Sequence, residues 1–198
     1  MIKLQPKTIK IIANATAGVV LAGALVYYNF FDKPVAFEVG QLCPDFTVNT
    51  FALNEKDEFY LSDNYKTLSS SNGKICVINF WEVWCSSCVK ELPHFDEMYK
   101  NYSDKVDVIA VVGNTFTPDG VADWMNNEGY KKYHAESDWT TFSLTFGIQP
   151  NEDLCNKLGG GGMLPRTVIL DERGIVLYET DASMDYESLT GLIDGFIK

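Results

Sequence analysis

The run Ile75-Cys76-Val77-Ile78-Asn79-Phe80-Trp81 is rich in β-branched and aromatic residues and carries no charge, the pattern of a strand buried on both faces. Beyond Trp84 the apolar spacing changes. Val89, Leu92, Phe95 and Met98–Tyr99 recur at three- and four-residue steps, as on one face of a helix, which Pro93 is expected to kink. At the change of period stands Trp84-Cys85-Ser86-Ser87-Cys88. Two residues between cysteines on a first helical turn bring the sulfurs close enough to bridge. Cys85 then sits where unsatisfied backbone N–H groups and the positive end of the helix dipole stabilise a thiolate. Cys88, one turn further in, is expected to be more enclosed and to react second.

The rest of the chain builds around this junction. Alternating polar and apolar residues over Phe46–Leu61 suggest a hairpin turning at Asn54-Glu55-Lys56-Asp57. Val106–Val112 reads as a second buried strand. Thr117-Pro118-Asp119 supplies an N-cap, a first-turn proline and a first-turn acid for a helix reaching Asn126 or Asn127. Residues 128–162, with two aromatic clusters and the glycine run 159–162, are expected to hold short elements and loops. Arg166–Leu170 and Ile175–Glu179 read as a hairpin, and Leu189, Leu192, Ile193, Phe196 and Ile197 mark the apolar face of a closing helix. The order strand, helix, strand, helix, strand, strand, helix implies an α/β domain with a central mixed β-sheet and helices on both faces.

The N-terminus is of another kind. From Ile11 to Phe30 there are twenty uncharged residues, about the length a helix needs to cross ~30 Å of hydrocarbon. Lys3, Lys7 and Lys10 precede this stretch and Asp32 follows it, which favours a transmembrane helix with its N-terminus in the cytoplasm and Tyr27 and Tyr28 at the outer interface. The competing reading is a cleaved signal peptide, since Ala22-Gly23-Ala24 has the small-x-small form of a cleavage site. Both readings export the remainder. The expected organisation is an anchor over 1–31, a linker over 32–42 and one domain over 43–198. Three of the 16 basic residues lie in the head, which leaves 13 against 27 acidic ones in the body. So acidic a body opposes phosphate backbones and excludes nucleic acid as a partner.

Two plainer readings compete for the cysteine pair. A zinc site needs two further ligands, and Cys43, Cys76, Cys155, His94 and His134 include no second pair at ligand spacing, so no metal is expected. A merely structural disulfide has little reason to occupy an exposed strand-to-helix loop. Of the other cysteines, Cys76 lies in the buried strand as a small hydrophobe, whereas Cys43 and Cys155 fall in loop-like segments where a second disulfide is an open alternative.

Four motifs in order carry a family resemblance: Gly40-Gln41-Leu42-Cys43-Pro44-Asp45-Phe46, Asn79 through Cys88, Glu91-Leu92-Pro93, and Leu164-Pro165-Arg166-Thr167-Val168-Ile169-Leu170-Asp171. On these the chain resembles the thioredoxin superfamily, and within it the membrane-anchored TlpA/ResA/CcmG-like thiol–disulfide oxidoreductases of bacteria. The resemblance implies a thioredoxin-like fold and a cis peptide bond at Pro165 beside the cysteine pair, exposing the backbone at Leu164 for a partner's extended segment. It also implies a redox-active Cys85–Cys88 disulfide with no other cofactor. Protein thiols and disulfides are then the partners, with apocytochrome c one plausible substrate and a membrane dithiol carrier the electron source. Reduction is the favoured direction, and oxidation of exported proteins is the alternative.

The departures from the family pattern are informative. Asn79 occupies the place where cytoplasmic thioredoxins carry an aspartate as proton acceptor, so Glu91, three residues after Cys88, becomes the candidate base; the plainer reading is an exposed helix carboxylate. Glu82 stands where the family has a small residue, and it either adds negative charge near Cys85 or points to solvent. Ser86-Ser87 replaces a proline-containing dipeptide. Arg166 puts a cation on the docking surface formed with Trp84, Ser86, Ser87 and Leu164. A thiol peroxidase expects Pro-x-x-x-Thr-x-x-Cys, where this chain has Ile-Asn-Phe-Trp-Glu-Val-Trp-Cys, and a Sco-like copper chaperone expects three residues between its cysteines.

Overall fold

The computed structural model describes residues 37–71, 73–127, 138–149, 153–158 and 162–197. The expected anchor over 1–31 lies outside the described residues, as do the glycines at 159–161. Among the described residues no helix is long and apolar enough to cross a membrane.

Strands β1 (Thr47–Leu53) and β2 (Phe59–Thr67) form the expected hairpin, and β2 runs further than the alternation suggested. Its turn is held by Asn54, whose Oδ1 accepts from the N–H groups of Lys56 and Glu58 at 2.8 and 3.1 Å, while Asp57 adopts φ 59°. Then follow β3 (Ile75–Trp81), α1 (Ser86–Tyr102), β4 (Val106–Val112), α2 (Pro118–Asn126), β5 (Thr145–Ile148), the single turn α3 (Leu154–Lys157), β6 (Arg166–Leu170), β7 (Val176–Thr180) and α4 (Tyr186–Phe196). Helix α1 continues through Pro93. Thr117 caps α2 by accepting from the Gly120 N–H at 3.2 Å, with Pro118 in the first turn, as the sequence indicated.

The seven strands lie in the order β2-β1-β5-β4-β3-β6-β7. Pairs β3–β4 and β4–β5 are parallel and the remainder antiparallel, so the sheet is mixed. Strand β3 is buried along its whole length, and its alternation divides the core. Ile75, Val77 and Trp81 pack with Val89, Leu92 and Phe95 of α1, Val121 and Met125 of α2, and Leu189 and Ile193 of α4. Cys76, Ile78 and Phe80 pack with Phe37, Cys43, Phe46, Leu68 and Leu154.

Helices stand on both faces, as expected, though among the described residues they do so unequally: α1, α2 and α4 pack on one face and the single turn α3 on the other. Connections β3–α1–β4 and β4–α2–β5 step along the sheet in the same direction, and right-handed crossovers moving the same way place both helices on one face. The opposite face is covered by the segment around Phe37–Phe46, a 3-10 turn at Leu68–Ser71 and α3. Residues 37–42, read as linker, are packed onto this face: Phe37 is buried, and the Gly40 N–H donates to the Val176 carbonyl at 2.8 Å.

Strand β5 was not legible, and it joins the hairpin to the rest of the sheet. Asp96 of α1 fixes its approach, accepting from the N–H groups of Ser143 and Leu144 at 2.5 and 3.2 Å while paired with Lys100. Gly147 lets β1 close in, because a Cβ there would lie 2.4 Å from Val48 Cγ2. Gly147→Ala is accordingly expected to cost about 1–3 kcal/mol through overpacking, read as a lowered denaturation midpoint at unchanged slope. An unchanged midpoint would mean that β1 moves aside freely.

Candidate active site

Strand β3 ends at Trp81, and a tight turn, in which the Cys85 N–H donates to the Glu82 carbonyl at 3.0 Å, delivers the chain to α1. Cys85 is the N-cap of that helix: its Sγ accepts from the Cys88 N–H at 3.3 Å and lies 3.5 Å from Ser87 Oγ. Cys85 and Cys88 are joined in a disulfide across a Cα separation of 5.3 Å. Cys85 is 6% exposed and Cys88 is fully buried, so a partner sulfur reaches Cys85 first. Trp84, 56% exposed, stands beside them as an apolar surface, with Ser86 and Ser87 exposed in the first helical turn.

The Leu164–Pro165 peptide bond is cis. Strand β6 starts at the next residue and pairs antiparallel with β3, Arg166 opposite Phe80 and Thr167 opposite Asn79. That register carries Pro165 to the end of β3 from which the cysteine turn departs, and Leu164 packs against the core cluster that holds both cysteines. Arg166 is directed elsewhere. Its guanidinium pairs with Glu179 of β7 and lies 5.8 Å from the Phe37 ring centroid, so its charge is committed to the domain's own residues.

Glu91 is no surface carboxylate, being 1% exposed. Asn79 Nδ2 donates to its Oε1 at 2.8 Å, and Ser183 Oγ and the Met184 N–H donate to Oε2 at 3.0 and 2.9 Å. Burial raises its pKa above the ordinary carboxylate value, and these three hydrogen bonds oppose that rise. Glu91 stands one helical turn after the buried Cys88 on α1. The link from Asn79 to Glu91 was missed in the sequence, yet a signal for it existed. Asn79 falls on the same alternate face of β3 as Val77 and Trp81, which is the face that meets α1.

Glu82, the other departure, also turns inward and is 3% exposed, so the solvent-facing alternative is excluded. Its Oε1 accepts from the Thr115 N–H at 3.2 Å and from Thr115 Oγ1 at 2.7 Å. Gly113 makes room for it, since a Cβ at that position would lie 2.2 Å from Glu82 Oε1. Neither Gly113 nor Thr115 stood out in the sequence.

The three remaining cysteines are free and buried, so Cys43 and Cys155 do not form the second disulfide left open above. Burial, with nearby Asp45, pushes the Cys43 thiol up to about 12; burial and Asp107 do the same for Cys76; burial and Asp153 bring Cys155 to about 11. All three stay protonated near neutrality and are poor nucleophiles. Among the described residues no group of three or more His, Cys, Asp or Glu is disposed to hold a metal ion.

Of five thiols, then, only the two at the start of α1 are placed to react, and they already form the bond that an exchange enzyme makes and breaks. With the sheet order and the cis-proline this defines the class: a thioredoxin-like thiol–disulfide oxidoreductase. The chain belongs to the AhpC/TSA family, whose profile matches residues 39–179. A thioredoxin-like protein of Bacillus subtilis (strain 168), YneN, is 31% identical over 151 residues, 76% of each chain. The thiol–disulfide oxidoreductase ResA of Geobacillus thermodenitrificans (strain NG80-2) is 29% identical over 169 residues, 84% of this chain and 83% of that one. Among solved structures, a putative thiol:disulfide interchange protein DsbE from Chlorobium tepidum superposes with a TM-score of 0.60 at 22% identity, over 80% of this chain and 96% of that one. This last likeness concerns the fold alone.

Proposed function

We propose that this enzyme is a membrane-tethered reductant of protein disulfides, acting on the outer face of a bacterial cytoplasmic membrane. The observation that carries the reading is the pairing of a slightly exposed Cys85 at a helix N-terminus with a fully buried Cys88 one turn from the buried carboxylate of Glu91. In the reduced enzyme the Cys85 thiolate attacks one sulfur of a partner disulfide; a mixed disulfide forms and the partner's other sulfur leaves as a thiolate. Cys88 then loses its proton to Glu91 and attacks Cys85 Sγ. The Cys85–Cys88 bond forms, the partner's second thiolate departs, and two electrons have passed to the partner.

Pro165 and Leu164 offer the backbone against which the partner's segment lies, with Trp84, Ser86 and Ser87 at its border. The electron-carrying group is the cysteine pair, with no dissociable cofactor. Residues 1–31 supply the tether, N-terminus in the cytoplasm, and a membrane dithiol protein regenerates the reduced form. Cytochrome c maturation, with apocytochrome c as the substrate, is the purpose proposed.

The reduction potential of the Cys85–Cys88 pair tests the direction. Equilibration of the protein in glutathione or dithiothreitol buffers, read by mass spectrometry, is expected to give a value well below about -220 mV, towards the thioredoxin end of the known range. A value close to about -120 mV would identify a disulfide donor instead and remove the maturation role.

A further inference from the structure

The carboxyl ends of β3 and β4 are where a sheet of this kind receives ligands, and there a cleft of about 90 Å³ adjoins the cysteine turn. Its wall includes Phe80, Leu154 and Leu164, which are apolar, the carboxyl-bearing residues Glu82 and Asp153, and the exposed Trp84. A cleft of this size holds more than a single water-sized group. It lies on the Phe80 side of β3, opposite the side that meets Glu91.

Glu82 gives this cleft its chemistry. Oε1 is satisfied twice by Thr115, and Trp84 Nε1 donates in turn to Thr115 Oγ1 at 3.4 Å. Oε2 is buried and has no hydrogen-bond partner among the described residues. Among the described residues no lysine or arginine lines the cleft, and none forms a salt bridge with Glu82. A buried carboxylate oxygen without a donor is costly, and the cost is relieved by a donor from outside. Apolar walls suit an aliphatic stem, the acceptor suits a cationic head, and the exposed Trp84 adds an aromatic surface of the kind that attracts cations.

We propose that this cleft receives a basic side chain, lysine by preference, of the polypeptide whose disulfide is attacked, with Glu82 Oε2 as its acceptor, so that Glu82 selects among partners. The proposal rests on the reading that Cys85 attacks protein disulfides. Glu82 and Cys85 belong to one turn, and Leu164 adjoins the docking proline, so a side chain within a few residues of the partner's cysteine reaches the cleft. The chain's net charge of -11 attracts cationic segments at longer range. The residue that departs from the family's small side chain thus has a role beside the disulfide rather than in its proton transfers.

The test uses the full-length reduced protein and short peptides, each with one cysteine held in a mixed disulfide with thionitrobenzoate, whose release reports attack on the peptide sulfur. Lysine, acetyl-lysine or norleucine is placed in turn at each of three positions on either side of the cysteine. Lysine is expected to exceed both neutral residues by about tenfold or more at one or two positions only, the worth of a charge-assisted hydrogen bond. In Glu82→Gln this ratio is expected to fall to near one at those positions. Equal rates for all residues, a lysine preference spread evenly over all positions, or a preference that survives Glu82→Gln would each overturn the proposal. Should the variant fail to fold, the positional pattern in the unaltered protein decides by the same criteria. Exchange with no peptide at all would overturn the disulfide-reducing function itself, and the cleft's role with it.

Discussion

Cys85→Ser is expected to abolish reduction of a disulfide-bonded protein substrate, and Cys88→Ser to arrest the same reaction after a single attack. A serine hydroxyl does not form the thiolate on which exchange depends, so the loss in Cys85→Ser should reach the background of the uncatalysed reaction, about a thousandfold or more. The two variants should differ in kind as well as in degree. Cys85 is the sulfur that a partner can reach, whereas Cys88 is fully buried and becomes effective only once Cys85 carries the partner. Incubated with the substrate disulfide, Cys88→Ser should therefore accumulate a covalent complex that survives non-reducing electrophoresis, dissolves on addition of dithiothreitol, and maps to Cys85 by mass spectrometry. Cys85→Ser should give none. Complexes trapped in equal amount by both variants would mean that Cys88 is accessible in solution and that the order of attack is not set by burial. A complex through Cys43, Cys76 or Cys155 would contradict the thiol pKa values of about 11 to 12 that burial imposes on them.

Parts of the molecule with one dominant local signal were legible from sequence. Ile75–Trp81 and Val106–Val112 are uncharged or nearly so because strands covered on both faces leave no position for solvent, and both strands have those bounds. Thr117-Pro118 announces a helix because an N-cap side chain and a proline are each suited to a helix start and ill suited elsewhere. The two reactive cysteines were legible for a similar reason, since their spacing, with no second pair at ligand spacing to complete a metal site, suits a helix N-terminus. Strand β5 was not, because four residues with a glycine among them carry too little alternation, and the approach to it is held at Ser143 by Asp96, forty-seven residues earlier in the chain. Nor does a sequence tell whether a carboxylate is buried. Glu82 and Glu91 were each left between a role and an exposed position; what decides is Gly113 and Thr115 for the first, and Asn79, Ser183 and Met184 for the second, all distant partners supplied by the fold.

Glu91→Gln separates a proton-handling role from a structural one. With the carboxylate gone, Cys88 must lose its proton without an internal acceptor. Release of the partner from the mixed disulfide is expected to slow by about a hundredfold, the lower end of general-base effects, whereas the first attack by Cys85 should change little. Rapid mixing followed by acid quench resolves the two steps, and equal slowing of both would point to general damage rather than to a proton acceptor. The folded protein offers a second readout. Burial raises the pKa of Glu91 above its unfolded value of 4.5, so the native state holds this proton more tightly than the unfolded chain does. The associated stability is fully present below the unfolded pKa and is lost as pH rises through the folded one. Denaturation of the unaltered protein should therefore show a component of stability that declines with rising pH from the unfolded pKa to the raised folded one, and Glu91→Gln should lack that component while other carboxylates keep theirs. Asn79 Nδ2 still finds an amide oxygen in the variant, but the Met184 N–H, 2.9 Å from Oε2, then faces either an amide nitrogen or nothing. A slow second step together with the missing pH component identifies Glu91 as the acceptor; a missing component with both steps at their normal rate would leave it a buried structural acid.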